Sequence, residues 1–168
     1  VPVATGDKVQ KTIAKYAPDE AEFDVVSNPE FLREGSALED AMNPDRIVLG
    51  VSSKKAEDVM RKLYEGIDAP VLVTDIKSAE LIKHASNSFL ALKISYINAI
   101  SQVCELAGAN VEEVAKGMGL DQRIGPKFLN AGLGYGGSCF PKDVDAFEKI
   151  SRQLGYEFNL LAEVQRIN

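Results

Sequence analysis

From Lys77 to Ala107 the chain carries neither glycine nor proline, and no other feature restricts its fold as strongly. Leu81, Ile82, Ala85, Phe89, Leu92, Tyr96, Ile100 and Val103 recur at the spacing of one apolar helical stripe. At about 1.5 Å per residue such a helix runs roughly 45 Å, longer than a small domain usually needs. Phe89, Tyr96 and Ile97 fall on broad faces, which leaves two uses open: a domain junction or dimer seam, or an ordinary central core helix. Cys104 lies within the apolar pattern and reads as a small core residue. Gly108-Ala-Asn110 ends the helix, and Asn110 is placed to cap a second one over Val111 to Met118.

The preceding segment has a different texture. Gly6 to Tyr16 has helical spacing, Phe23 to Val26 is strand-like, and Arg46 to Val51 is an apolar run. Lys54 to Tyr64 is helical again, and Pro70 to Thr74 is a third strand candidate. Short β-rich runs separated by helices indicate part of a parallel α/β sheet; three strands are too few for a whole doubly wound one. Residues 1–75 are therefore expected to be the α/β piece, and 76–168 an all-α domain built on the long helix. Beyond it, Ile124 to Ser138 is glycine-rich and irregular, Pro141 to Leu154 is helical, and Phe158 to Asn168 begins another helix. The N-terminal Val1-Pro-Val-Ala has no basic region and no initiator methionine, and is not expected to be a signal peptide. Both ends read as cut from a longer chain.

The balance of 45% hydrophobic and 26% charged residues is that of a globular protein. A formal charge of −6 argues against nucleic acid as the main partner, yet leaves room for a nucleotide ligand held by a few local groups. Two cysteines make no disulfide framework, and no apolar stretch reaches the roughly 18 residues of a membrane span. The cytoplasm is the expected compartment. No His, Cys and carboxylate cluster has metal-ligand spacing.

Chemistry concentrates in Gly134-Tyr-Gly-Gly-Ser-Cys-Phe-Pro-Lys-Asp143. Pro141 suits a first helical position, which puts Cys139 at a helix N-terminus beside Lys142; both the macrodipole and the lysine favour thiolate. Asp143 follows one turn later. The neighbouring Gly132-Leu-Gly-Tyr-Gly-Gly137 matches G-x-G-x-x-G by letter only, because a dinucleotide fingerprint follows a strand inside a βαβ unit. Here the glycines more naturally let backbone N–H groups approach a phosphate or sugar. In Asn28-Pro-Glu-Phe-Leu-Arg-Glu-Gly35, Asn28 can cap a short helical turn that Pro29 starts and Gly35 ends. Glu30 and Glu34 would then share one face, as an acid–base pair or as two solvated glutamates. Lys83 and Asn87, four apart on the long helix, could steady an oxyanion, or could equally be a solvated pair. His84, the single histidine, reads as core or surface rather than as partner to the thiol.

Together Ser27 to Ser36, Pro44 to Gly50, Ala79 to Asn87 and Gly134 to Asp143 resemble the nucleotide-sugar dehydrogenases, the UDP-glucose/GDP-mannose dehydrogenase family, which oxidise an alcohol to an acid in two NAD-dependent steps. The resemblance implies that the first segment is the end of a Rossmann-type NAD domain and the second a helical central domain. It implies Cys139 as nucleophile, with Lys83 and Asn87 holding the oxyanion and water, Asp143 supporting them, and Glu30 as acid–base in thioester hydrolysis. Glu34 and Lys142 would contact the cofactor. Glu30, Phe31, Leu32, Arg33 and Lys83, with Phe128, Leu129, Asn130, Ala131, Gly132, Tyr135 and Gly136, would wrap the nucleotide sugar. The wording after Phe31-Leu32 is closer to members acting on UDP-glucose than to those acting on GDP-mannose or UDP-N-acetylmannosamine. A homodimer through the long helix is implied. So are a glycine-rich cofactor motif and a catalytic threonine upstream of Val1, and a further α/β domain after Asn168. A chain lacking them is expected not to complete the oxidation alone. Two other readings are a dimerisation module without catalysis of its own, and a thiol hydrolase or acyltransferase, for which no histidine partner stands out.

Overall fold

The computed structural model describes residues 2–168, so the N-terminal reading at Val1 lies outside them. It divides into two compact units, one up to Lys83 and one over His84–Asn168.

The first unit opens with α1, Thr5–Tyr16, and a short α2, Ala37–Met42. Then come β1, Ile47–Gly50, α3, Lys54–Leu63, and β2, Val71–Thr74. β1 and β2 pair in parallel, Ile47 opposite Val71 through to Gly50 opposite Thr74, with α3 as the crossover. Every residue of β1 is buried, as expected of a parallel strand covered on both faces. α3 starts where Ser53 accepts the Ala56 amide at 3.0 Å, an N-cap that satisfies one orphan donor. Lys54 pairs with Asp58 at 2.9 Å and Arg61 with Glu57 at 2.7 Å along its outer face.

Two expectations fail here. Phe23 to Val26 forms no strand; only Ser27 reaches the sheet, in an isolated antiparallel bridge with Gly50. The alternation is too short to bury a face: Phe23 stays exposed, and Asp24 instead accepts the Ser53 hydroxyl at 2.7 Å. Residues 28–33 also form no helical turn. Asn28 does not cap; its amide donates to the Val48 carbonyl at 2.9 Å and its oxygen accepts from Tyr64. The helix begins only at Ala37, after Gly35 turns the chain at φ 86°.

The unit is closed by a buried carboxylate. Glu80, 2% exposed, accepts the amides of Ala4 at 2.6 Å and Gly6 at 2.8 Å, where α1 starts. Gly6 is required there, because a Cβ would lie 2.4 Å from the Ile76 side chain.

The long helix α4, Ile76–Ala107, opens in the first unit and continues in the second. Its C-terminus closes on Gly108 at φ 69°, with the Ala109 amide returning to the Cys104 carbonyl at 2.8 Å. Asn110 caps α5, Val111–Gly119, by accepting the Glu112 amide at 2.8 Å. α6, Phe140–Gln153, and α7, Asn159–Ile167, complete the unit. Its core joins Ala91 of α4, Val144 of α6 and Leu161 and Val164 of α7, ringed by Leu92, Tyr135, Phe147 and Phe158. Ser95 fastens α4 to α7 by donating to the Val164 carbonyl at 2.8 Å. An α/β piece followed by a helical domain is thus what the chain folds into. Among the described residues no helix is long and apolar enough to cross a membrane.

Candidate active site

Cys139 occupies the N-cap position of α6, with Pro141 in the first turn, as the spacing predicts. The thiol is exposed and not in a disulfide. Its sulfur makes no capping bond, and the Ser138 hydroxyl lies 3.7 Å from it. The sulfur is thus accessible at the N-terminus of a fourteen-residue helix.

Asp143 sits in the same first turn but points inward, and is 7% exposed. Asn87 of α4 donates to its carboxylate at 2.6 Å. Lys142 approaches the other oxygen at 3.8 Å with its own side chain largely in solvent. The second unit therefore brings Asn87, Asp143 and Lys142 together by hydrogen bond and charge, with Cys139 one turn away on the same helix.

The glycine segment is held from both sides. Asn98 accepts the Gly132 amide at 2.8 Å. Asn168 accepts the Tyr135 amide at 2.6 Å and donates to the Tyr135 carbonyl at 3.1 Å. Gly134 lies between these bonds at φ 102°, where a Cβ would come within 2.6 Å of the Asn168 side chain. The run Gly132–Gly137 follows turns and irregular backbone after α5, not a strand. Phe140 stands edge-on to Phe128 at 6.2 Å and to Tyr135 at 5.9 Å, and burial raises the Tyr135 phenol above its ordinary pKa. Leu129 is buried, Phe128 is left-handed at φ 65°, and Asn130, Ala131 and Gly136 are exposed. An open groove of about 480 Å³ adjoins Gly132 and Leu133 and is lined also by Asn98, Gln102 and Arg166. His84 is buried against Phe147, ring centres 5.9 Å apart, within the core of this unit.

The first unit gathers the other candidates around residues 30–33. Lys83 donates to the Glu30 carbonyl at 2.6 Å and its carboxylate at 3.1 Å. The second Glu30 oxygen accepts the Leu32 amide at 2.7 Å. The Phe31 ring has the Arg46 guanidinium 3.9 Å from its centre and the Lys83 ammonium at 5.4 Å. Cation–π contacts of this kind fix the ring and both cations. Arg33 is turned to Asp40. Glu34 lies exposed on the turn before α2, and the helical face that would stack it with Glu30 does not exist.

Sequence reasoning did not single out Asp40, Glu80, Asn98 or Arg46. Asp40 and Arg46 lie within or beside the motif stretches, but their partners are not set by helical or strand spacing.

Residues 77–168 match the model of the UDP-glucose/GDP-mannose dehydrogenase family, central domain, and residues 1–68 that of the same family's NAD binding domain. The chain is 53% identical over 168 residues to the UDP-glucose 6-dehydrogenase TuaD of Bacillus subtilis, covering 100% of this chain and 36% of that protein. It is 49% identical to the UDP-glucose 6-dehydrogenase YwqF of the same organism, covering 38% of it. The solved UDP-glucose dehydrogenase from the hyperthermophilic archaeon Pyrobaculum islandicum has the same fold at a TM-score of 0.97 and 46% identity, with 100% of this chain and 39% of that one covered. The chain thus spans well under half the length of these relatives. With both family domains matched in order and the thiol helix and strand–helix–strand unit in place, the chain belongs to the UDP-glucose/GDP-mannose dehydrogenase family.

Proposed function

We propose that this chain supplies the thiol half of an NAD-dependent dehydrogenase that oxidises the C6 alcohol of UDP-glucose to the carboxylate of UDP-glucuronate. The observation that carries the reading is the exposed Cys139 at the α6 N-terminus, one turn from an Asp143 that Asn87 holds at 2.6 Å.

After the alcohol has become an aldehyde, the Cys139 sulfur bonds to the carbonyl carbon, and a proton reaches the new alkoxide to give a thiohemiacetal. Loss of a hydride from that carbon gives a thioester. Water then adds, the carbon–sulfur bond breaks, and thiol and acid are released. Lys83 and Asn87 are assigned to the oxyanion and the water, Asp143 to their support, and Glu30 to proton transfer in the hydrolysis. Glu30 to Arg33 and the segment from Phe128 to Gly136 are assigned to the nucleotide sugar.

Glu34 and Lys142, both exposed, are the residues assigned to hold NAD, which when bound would supply the hydride acceptor for each oxidation. The parallel β1–β2 pair with its α3 crossover is the unit dinucleotide sites are built from. No glycine-rich strand-to-helix turn occurs among the described residues, so no cofactor phosphate is assigned to this chain. We place the boundary between cofactor and central domains after Asp75, where β2 has ended and α4 begins. Two free cysteines fit a reducing compartment, and we assign the protein to the cytoplasm.

A homodimer is part of the reading. Phe89, Tyr96 and Val103 stand 60%, 48% and 59% exposed at seven-residue intervals on α4, an apolar seam with coiled-coil spacing. A monomeric mass in size-exclusion chromatography at micromolar concentration would count against it.

The function is tested in a hybrid in which these 168 residues replace the matching segment of TuaD. The hybrid should form two NADH per UDP-glucose and lose this with Cys139→Ala, whereas the 168-residue chain alone should form none. A second NADH per UDP-glucose, or release of UDP-glucuronate, from the Cys139→Ala hybrid refutes the thiol's role. Preference for GDP-mannose refutes the substrate.

A further inference from the structure

We infer that Asp40 is a positioning residue for the nucleotide-sugar segment Glu30–Arg33, fixing the Arg33 backbone and guanidinium together so that the segment meets its ligand through carbonyl oxygens and the Phe31 and Leu32 side chains rather than through a cationic fork. The inference rests on the proposed substrate class and concerns how this segment recognises it.

Asp40 lies in the first turn of α2 and is 9% exposed. Its Oδ2 accepts the Arg33 amide at 2.8 Å, the Arg33 Nε at 3.0 Å and the Ser36 hydroxyl at 3.2 Å. Its Oδ1 accepts Nε at 3.1 Å and also the Nη2 group. One carboxylate thus binds both ends of a single residue, and fixes the turn that leads from the motif into α2. Pairing with the guanidinium, the largest cause, and with the Arg33 amide holds the Asp40 carboxyl well below the usual carboxylate range.

The consequence for recognition follows from which donors are used. The Leu32 amide is taken by the Glu30 carboxylate at 2.7 Å, and the Arg33 amide by Asp40. Two successive N–H groups, the usual means by which a loop receives a phosphate, point to carboxylates within the chain. The guanidinium would be the strongest phosphate ligand in the segment, but both of its engaged nitrogens face Asp40. Lys83 meanwhile holds the Glu30 carbonyl at 2.6 Å, so the segment is pinned at both ends, with Phe31 and Leu32 between the pins.

The test uses the TuaD hybrid with Asp40→Asn, Asp40→Ala, Arg33→Gln and the Asp40→Ala/Arg33→Gln pair, alongside hydrogen exchange at the Arg33 amide in the 168-residue chain. Asp40→Asn should raise KM for UDP-glucose about fivefold or more, leave kcat within about twofold and leave KM for NAD unchanged. Asp40→Ala should also speed exchange at the Arg33 amide. The double variant should be no worse than the worse single one, because both act through one clamp. Arg33→Gln far more damaging than Asp40→Ala would mean that the guanidinium itself touches the phosphates, and overturns the inference. So does an unchanged KM, or a joint fall of kcat and both affinities with a lowered melting temperature, which marks a merely structural role. An inactive unsubstituted hybrid refutes the proposed function and this inference with it; an active hybrid indifferent to Asp40 refutes the inference alone.

Discussion

Asn87 donates to the Asp143 carboxylate at 2.6 Å, linking α4 to the first turn of the helix that Cys139 begins. The bond is buried, and its partners stand 56 residues apart in sequence. It holds the Asp143 side chain in the interior, in the first turn of α6.

Asn87→Ala removes the closest partner of that carboxylate. A charged group left short of a hydrogen bond costs about 1–3 kcal/mol, to be read as a shift in the urea midpoint with the slope unchanged. Asn87→Asp should cost more, because it sets two carboxylates against each other. A stability unchanged in both variants would show that the bond contributes nothing.

The two cysteines should separate cleanly in a thiol titration. Cys139 is exposed and Cys104 is 5% exposed within α4. One equivalent of a disulfide reagent should react at once in the native chain and the second only on unfolding. Peptide mapping of the alkylated chain should place the fast site at Cys139; a fast Cys104 contradicts the packing of α4.

Glu80→Ala leaves the amides of Ala4 and Gly6 without their carboxylate. About 1–3 kcal/mol for the buried Gly6 donor left unmet, with the part-buried Ala4 donor besides, is enough to fray α1 in a domain of ordinary stability. Hydrogen exchange should rise first in residues 4–8, and Glu80→Gln should recover part of the loss. Equal exchange in all three proteins would refute this role for Glu80.

The Asp40 clamp has a defined pH behaviour. A carboxyl held below its unfolded value adds stability above the unfolded pKa of about 3.9 and loses it as pH falls through the folded pKa. The carbon resonance of the Asp40 carboxyl should therefore show no step near about pH 4, whereas Arg33→Gln should restore one. A normal step in the unsubstituted chain is incompatible with the pairing at 3.0 Å.

Helix α4 was legible because glycine and proline are absent over a long run of periodic apolar residues. α6 was legible because Pro141 and a glycine turn mark its start. α3, β1 and β2 followed from short-range pattern in the same way. Phe23 to Val26 and residues 28–35 were misread for one reason. Both have the local letters of a strand or a capped turn, but Asp24 and Asn28 spend their side chains on Ser53, Val48 and Tyr64, which no spacing rule selects.

The sequence by itself determined closely where α1, α3, α4, α5 and α6 start and stop, because caps, proline at the first turn and glycine at positive φ act over only a few residues. It also determined the family. Tertiary structure decided which polar groups are consumed. Glu80 serves amides 74 and 76 residues away, Asn87 serves Asp143, and Asp40 engages both the amide and the guanidinium of Arg33. Such pairings form because a buried donor or acceptor must find a partner wherever packing brings one, and packing depends on the whole fold rather than on neighbours in the chain.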